Sequence, residues 1–258
     1  MKQENGFHFL EYPCASGKAD GLVIILHGHA NHPIMFEKLA DQIRKERPNT
    51  DVLIVRGPEP MHASPAHVRK NGAGNADDLY SWHHISPNAG ENAKLVLSHF
   101  FNSVPVVDQL NRFADAQLQK RQLKDENLAL FGFSLGGAIA VQMGTRREHK
   151  VAAVVNHSGP VFPIVKPKSK PDTMFVMGDK DDFFYTGKKM KVAPPKNKLK
   201  KAFEDAVSKV SLHFDDSLKR LGDAKIPVKS EIIKDMGHTV NEESFKPAMR
   251  FIAGHLKK

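Results

Sequence analysis

The sequence has little of what secreted or membrane-spanning proteins usually carry. Cys14 is the only cysteine among 258 residues, so no intrachain disulfide can form. Apolar runs such as residues 22–26 are far shorter than the roughly 20 residues that cross a bilayer. The N-terminal segment has no apolar stretch of signal-peptide length. We therefore expect a cytoplasmic protein under reducing conditions.

Acidic residues are outnumbered, since 29 Asp and Glu stand against 38 Lys and Arg and the formal net charge is +9. Such a balance favours contact with anionic lipid, nucleic acid or acidic substrates, but it does not determine the fold. Because basic and aromatic residues do not interleave, we expect no nucleic-acid partner. The length and the 40% of hydrophobic residues suit one domain spanning residues 1–258.

Short apolar runs alternate with amphipathic segments along the chain. Alternating strands and helices imply right-handed crossovers and a mostly parallel sheet that helices cover on both faces. In such sheets ligands bind beyond the carboxyl ends of the strands, so we look for chemistry in the loops that follow strands. The predicted strands are residues 22–26, 51–55, 128–131, 151–155, 173–177 and 226–233, and the predicted helices include 92–121, 135–146 and a last one opening at Asn241.

Two long segments do not fit this alternation of strands and helices. Residues 57–90 form a long connection rich in Pro, Gly, Asn and His, and connections of this length are usually functional or mobile. Residues 183–222 form an insertion that first carries seven lysines between Lys188 and Lys201. This run is either a solvated loop or a patch for transient contact with an anionic membrane. The amphipathic repeat of residues 199–221 predicts a helix that Gly222 ends.

A Gly-x-Ser-x-Gly motif, Gly132-Phe133-Ser134-Leu135-Gly136, follows a predicted strand and opens a predicted helix. A nucleophilic serine on such a strand-to-helix turn needs small neighbours, because the turn is sharp and strained. The two glycines of the motif supply them. A phosphate cradle or an ordinary turn is the alternative, but the position between strand and helix favours Ser134 as a nucleophile.

A serine hydroxyl attacks efficiently only when a base removes its proton. Where a nucleophilic serine lies on such a strand-to-helix turn, the acid comes after it along the chain and the histidine comes after the acid. His238 comes directly after the last predicted strand, whereas His255 falls inside the terminal helix. Three carboxylates follow the next-to-last strand, and the residues alone do not choose among Asp179, Asp181 and Asp182.

An acyl-transfer site also needs two backbone N–H groups that hold the oxyanion. One should belong to Leu135, which follows the candidate nucleophile, and the other to a loop after the fold's third strand. His29 lies in the segment His27-Gly28-His29-Ala30 directly after the first buried run, and we expect its main chain to supply the second donor. The side chains of His27 and His29 are expected to be structural or pocket-lining.

Histidines and aspartates also cluster in the long connection. No His-x-x-x-His spacing accompanies them, and adjacent histidines would point apart on a strand, so we expect no metal site. The residues concerned are His62, His67, His83, His84, Asp77 and Asp78.

Taken together, these motifs resemble the phospholipase/carboxylesterase family, which includes acyl-protein thioesterases and small bacterial carboxylesterases. The resemblance implies an α/β-hydrolase fold. It also implies that Asp181 is the acid, because the family's motif reads Gly-x-x-Asp. It further implies that Trp82 contacts the substrate. We expect Phe133 to contact the substrate as well. The matching segments run from about residue 21 to the C-terminus in the family's order and are Leu26-His27-Gly28, Arg56-Gly57-Pro58, the Trp82 region, residues 132–137, residues 178–181 and Gly237-His238.

The resemblance further implies hydrolysis of short to medium acyl esters or thioesters without metal or cofactor, through an acyl-enzyme on Ser134, and often a homodimer. A lysophospholipase acting on anionic lipid surfaces is one alternative. A catalytically silent binding protein of the same fold is another, although the intact set of Ser134, Asp181 and His238 argues against it. The chain departs from the family at His29, and also at Asp182-Phe183-Phe184-Tyr185, where relatives usually read Val-Val-Pro. Both departures lie on the substrate side.

Overall fold

The computed structural model describes residues 1–61, 79–83, 92–164, 166–186 and 212–257. Most of the long connection and the lysine run between Lys188 and Lys201 lie outside the described residues, so the predictions made for them stay predictions. Within these ranges no helix has both the length and the apolar character that a membrane span requires.

The described strands are β1 Lys2–Glu4, β2 Phe7–Tyr12, β3 Gly21–Leu26, β4 Thr50–Arg56, β5 Glu59–Met61, β6 Leu79–Ser81, β7 Leu128–Phe133, β8 Ala153–His157, β9 Thr173–Gly178 and β10 Val228–Ile233. Eight of them form one sheet with the spatial order β1-β2-β4-β3-β7-β8-β9-β10. The pairs β1–β2 and β2–β4 are antiparallel, and all other neighbouring pairs are parallel. A second, two-stranded sheet pairs β5 with β6.

Helices cover both faces of the large sheet. The described α-helices are α1 Glu37–Glu46, α2 Asn92–Arg121, α3 Leu135–Arg146, α4 Phe214–Asp223 and α5 Glu242–His255. On one face α1 and α5 pack with residues such as Leu39 and Ile252, and on the other α2, α3 and α4 pack with residues such as Leu110, Ile139 and Leu221. The predicted α/β architecture, a mostly parallel central sheet with helices on both faces, is confirmed.

The central strands are buried on both faces, as parallel strands between helix layers are. Every residue of β3, β7, β8 and β9 is buried, which explains why their sequences read as continuous apolar runs. The predicted last helix is also present. It begins after Asn241, whose side chain accepts the Ser244 N–H at 2.9 Å while Ser244 Oγ accepts the Asn241 N–H at 3.0 Å.

The insertion helix differs from its prediction. A single helix over residues 199–221 is wrong, because the chain is not helical at positions 212 and 213 and α4 begins at Phe214. His213 caps α4 with an extended backbone, and its side chain accepts the N–H of Asp215. Gly222 does not end the helix, which continues to Asp223.

Candidate active site

Ser134 lies at the sharp turn between β7 and α3. Its backbone has a φ of +53° and a ψ of −120°, a strained conformation for a residue with a side chain. The Ser134 N–H donates to the carbonyl oxygen of His157 at 2.8 Å, which ties the turn to β8. A Cβ atom at Gly132 would collide with the carbonyl of Gly136, and one at Gly136 would collide with the carbonyl of Leu26. The two glycines of the motif therefore make this turn sterically feasible.

Three loops at the carboxyl edge of the sheet bring Ser134, Asp181 and His238 together. His238 Nε2 lies 2.9 Å from Ser134 Oγ, and His238 Nδ1 lies 2.7 Å from Asp181 Oδ2. The loops after β9 and β10 approach so closely that a Cβ atom at Gly178 would collide with the carbonyl of Met236. The hydrogen-bonded chain thus joins residues that are 57 and 104 positions apart along the sequence.

Asp181 is the carboxylate that reaches the imidazole. Its side chain is completely buried, and Oδ1 accepts the N–H groups of Phe183 at 2.9 Å and Phe184 at 3.0 Å. Since a carboxylate only accepts hydrogen bonds, Nδ1 of His238 carries the hydrogen and Nε2 accepts the one from Ser134.

The two neighbouring aspartates are engaged differently. Asp182 is exposed and accepts a hydrogen bond from Thr186 Oγ1 at 3.1 Å. Asp179 is joined through its backbone N–H to the Ile233 carbonyl at 3.0 Å. Of the three candidate acids in this loop, Asp181 is therefore the one that is hydrogen-bonded to His238.

Three phenylalanine rings surround the imidazole of His238. The ring centroids lie 5.1 Å away for Phe133, 4.8 Å for Phe183 and 5.4 Å for Phe184. Phe133 is buried and Phe184 is partly buried against the core, whereas Phe183 is 66% exposed. The sequence placed Phe133 among the substrate-binding residues, but it gave no reason to expect Phe183 and Phe184 around the base.

The loop after β3 passes directly beside the serine. A Cβ atom at Gly28 would lie 3.2 Å from Ser134 Cβ and 3.0 Å from the Phe133 ring. His29 follows Gly28, and its Nδ1 lies 2.8 Å from Ser81 Oγ. Leu135 opens α3, where backbone N–H groups have no carbonyl partner within the helix. Leu135 thus follows the serine, and His29 follows the glycine that lies closest to it in this loop, but their role as oxyanion donors stays a prediction.

His27 and Trp82 support this loop from inside the protein. His27 Nδ1–H donates to the Gly28 carbonyl at 2.7 Å, and Nε2 accepts the Gly57 N–H at 2.8 Å. Burial lowers the pKa of His27 to about 4, so the ring is neutral. Trp82 stacks on it at 4.9 Å and donates from Nε1 to the His27 carbonyl at 2.7 Å. Because Trp82 is only 1% exposed, it lies behind the loop, and its contact with substrate stays a prediction.

His157, at the end of β8, is a buried histidine that sequence reasoning missed. Among the described residues neither ring nitrogen has a hydrogen-bond partner, and the ring packs 5.7 Å from Phe133 and 6.0 Å from Phe131. Burial, helped by the nearby His238, lowers the pKa of His157 to about 3. The predicted strand 151–155 stops at Val155, whereas β8 continues through Asn156 to His157, so the strand pattern did not point to this histidine.

The ranges that the structure describes contain no group of three or more His, Cys, Asp or Glu side chains that could hold a metal. Of the histidines and aspartates considered for such a site, His83 is described and the others lie in residues 62–78 and 84–91.

The chain is similar to known proteins in its sequence and in its fold. A family model described as phospholipase/carboxylesterase matches residues 10–176. No curated protein matches the chain.

Similar solved structures include esterase PE8, with a TM-score of 0.72, 19% identity and coverage of 97% of this chain and 99% of that one. Arabidopsis thaliana SOBER1 has a TM-score of 0.61 and 16% identity, and the match covers 92% of this chain and 99% of that one. The Bacillus cereus carboxylesterase has a TM-score of 0.62 and 13% identity, covering 96% of this chain and 94% of that one. At these identities the structural likeness shows the fold alone.

Proposed function

Because the chain belongs to the phospholipase/carboxylesterase family of α/β-hydrolases, we propose that it hydrolyses carboxylic esters or thioesters of short to medium acyl chains through an acyl-enzyme on Ser134. The observation that carries this proposal is the hydrogen-bonded chain from Ser134 Oγ through the His238 ring to Asp181, with links of 2.9 and 2.7 Å. Both links fall within the reach that proton transfer to a positioned base requires.

Acylation begins when Ser134 Oγ attacks the acyl carbonyl carbon and His238 Nε2 takes the hydroxyl proton. The C–O bond that forms gives a tetrahedral intermediate whose oxygen carries the negative charge. When this intermediate collapses, the bond to the leaving alcohol or thiol breaks and His238 Nε2–H returns its proton to that leaving group. A water molecule then attacks the acyl-enzyme with the same base, and the carboxylic acid is released.

In this reaction the backbone N–H groups of His29 and Leu135 hold the oxyanion. Their proposed role is supported by the position of Gly28 in the loop after β3, where a Cβ atom would lie only 3.2 Å from Ser134 Cβ. Such donors act on charge that develops only in the transition state, and losing one typically costs about 10²–10³ in rate. They therefore affect kcat more than substrate binding.

Asp181 keeps the imidazole in the reactive tautomer and stabilises the imidazolium that forms. Because Oδ1 is already held by two backbone N–H groups, Oδ2 remains for His238 Nδ1 and the carboxylate cannot rotate without losing those bonds. Complete burial of the side chain excludes water from this hydrogen bond, which strengthens the interaction of the carboxylate with the developing positive charge.

The proposal is tested by following p-nitrophenol release from acetate, butyrate and octanoate esters, with acyl-CoA and lysophospholipid assayed alongside to place the substrate class. Ser134→Ala should lower turnover of every hydrolysed substrate by at least about 10⁴-fold. Ser230→Ala, which changes an exposed serine of β10, is the matched control and should behave as wild type. Near-normal turnover by folded Ser134→Ala protein would overturn the proposal, and a wild type inactive on all substrates would favour the silent binding protein.

A further inference from the structure

Phe183 is the exposed member of the three rings around His238. Its centroid lies 4.8 Å from that of the imidazole, with 55° between the ring planes, and the residue is 66% exposed. The loop of residues 179–186 after β9, called the acid loop below, places it there. Asp181 Oδ1 accepts the Phe183 N–H and Asp181 Oδ2 accepts the His238 N–H. The same carboxylate thus fixes the base and the backbone that carries the ring.

The base defines the side of the site on which the leaving group must lie. His238 Nε2 has to donate its proton to the leaving oxygen or sulfur, which requires a separation of about 2.6–3.2 Å. The loop after β3 comes close to the serine at Gly28, whereas the acid loop comes close to the imidazole at Phe183. We therefore expect the leaving group of the substrate, beyond its oxygen or sulfur atom, to lie beside the residues around the imidazole.

Two charged side chains that flank Asp181 have partners away from His238. Asp182 accepts the hydroxyl of Thr186, and Lys180 pairs with Asp235 at 2.6 Å. Phe184 and Phe133 are withdrawn into the protein. The acid loop consequently presents Phe183, an uncharged apolar ring, beside the atom that protonates the leaving group.

From this arrangement we infer that Phe183 forms a leaving-group subsite that binds the uncharged, apolar or aromatic alcohol or thiol part of the substrate. The inference rests on the proposed ester or thioester hydrolysis and narrows its substrate class. A ring that is two-thirds exposed gains by being covered, since burying apolar surface is favourable and paired aromatic rings attract each other in offset or edge-to-face geometry. Phe183 acts as a specificity-determining residue for the leaving group and not for the acyl chain.

The experiment compares kcat/KM for benzyl acetate and methoxyethyl acetate, which share an acyl group and have leaving alcohols of similar acidity. Phe183→Ala should lower the benzyl-to-methoxyethyl ratio about tenfold, a loss within the range that apolar pockets provide. Phe183→Tyr keeps the ring and should retain a ratio close to that of wild type. Ile232→Ala removes another exposed apolar side chain, on β10, and should leave the ratio unchanged.

A second substrate pair, ethyl acetate and ethyl hexanoate, varies the acyl chain with the leaving group constant. The Phe183→Ala change should leave this preference as in wild type. An unchanged benzyl-to-methoxyethyl ratio, or a shift in acyl preference instead, overturns the subsite while hydrolysis by wild type upholds the proposed function. If wild type hydrolyses none of these esters and a fluorophosphonate does not label Ser134, the proposed function fails and the subsite fails with it.

Discussion

His238 Nδ1 donates to Oδ2 of Asp181 at 2.7 Å, and this carboxylate is completely buried while its other oxygen accepts two backbone N–H groups. In Asp181→Asn the amide oxygen would keep those two bonds, so the amide NH₂ would face the imidazole. Nδ1 would then have to accept, which moves the hydrogen to Nε2 and leaves Ser134 without a base. We expect kcat to fall about 10⁴-fold with little change in folding.

The neighbouring aspartates provide matched controls for that change. Asp182→Asn alters an exposed carboxylate held by Thr186, and Asp179→Asn alters one that the structure does not join to the imidazole. Steady-state kcat on a p-nitrophenyl ester should stay near that of wild type in both. A loss in either control as large as that in Asp181→Asn would mean that the acid has been assigned to the wrong residue.

A second prediction concerns Gly28, where there is little room for a Cβ atom beside Ser134. A Cβ atom at Gly28 would lie 2.6 Å from Asn31 Oδ1, so Gly28→Ala should push the loop away from the serine and displace the His29 N–H. We expect kcat to fall about 10²–10³-fold, as when an oxyanion donor is lost, with a smaller change in KM.

Gly254 supplies the control for this substitution. It lies in α5, and a Cβ atom there would meet no atom within 4 Å. Gly254→Ala should keep kcat unchanged and raise the free energy of unfolding by up to about 1 kcal/mol, because alanine favours the helix. If Gly28→Ala has wild-type kcat, the loop after β3 does not supply an oxyanion donor.

Trp82 offers a test between support of the loop and contact with the acyl chain. Trp82→Phe keeps an aromatic ring beside His27 but removes the hydrogen bond from Nε1 to the His27 carbonyl. Since the side chain is buried behind the loop, we expect kcat to fall by a similar factor for acetate, butyrate and octanoate esters. A changed order of preference among these chain lengths would instead support the acyl-pocket role implied by the family resemblance.

Two buried neutral histidines predict a loss of stability in acid. The pKa of His27 is lowered to about 4 and that of His157 to about 3, against an ordinary value of 6.5. Below pH 6.5 the unfolded chain therefore binds protons that the folded protein does not. The free energy of unfolding consequently decreases as the pH is lowered. Each such group contributes a slope of up to about 1.4 kcal/mol per pH unit, down to its folded pKa.

His157→Leu isolates one of these groups. Urea unfolding at several pH values between 7 and 4 should show a shallower decline for this variant. At pH 7 it should be at least as stable as wild type, because a buried ring with no hydrogen-bond partner among the described residues is replaced by an apolar side chain. His149→Leu changes an exposed histidine and should follow wild type. An equally steep decline in His157→Leu would show that His157 is not the buried neutral group described here.

Much of the fold and of the candidate site could be predicted because the relevant signals are local. Buried parallel strands read as largely apolar runs, and Ser134 and Asp181 lie in the loops that follow two of them, β7 and β9. His238 follows β10, whose residues are exposed or partly buried and alternate less clearly. Strands β1 and β2 were missed, since β1 has three residues and none of them is apolar, and β4, the partner of β2, lies some 40 residues further along the chain. The environments of His157, Trp82 and Phe183 depend on packing between distant segments, which no local pattern encodes.

The central claim, that Ser134 is a nucleophile activated by His238, is tested most directly by mass spectrometry of the intact protein after reaction with a fluorophosphonate. The predicted result is one phosphonyl adduct per wild-type chain, mapped to the peptide that contains Ser134, and none in Ser134→Ala. His238→Ala should react much more slowly, because the serine hydroxyl then lacks its base. Folded wild type without an adduct, or an adduct that persists in Ser134→Ala, would contradict the account.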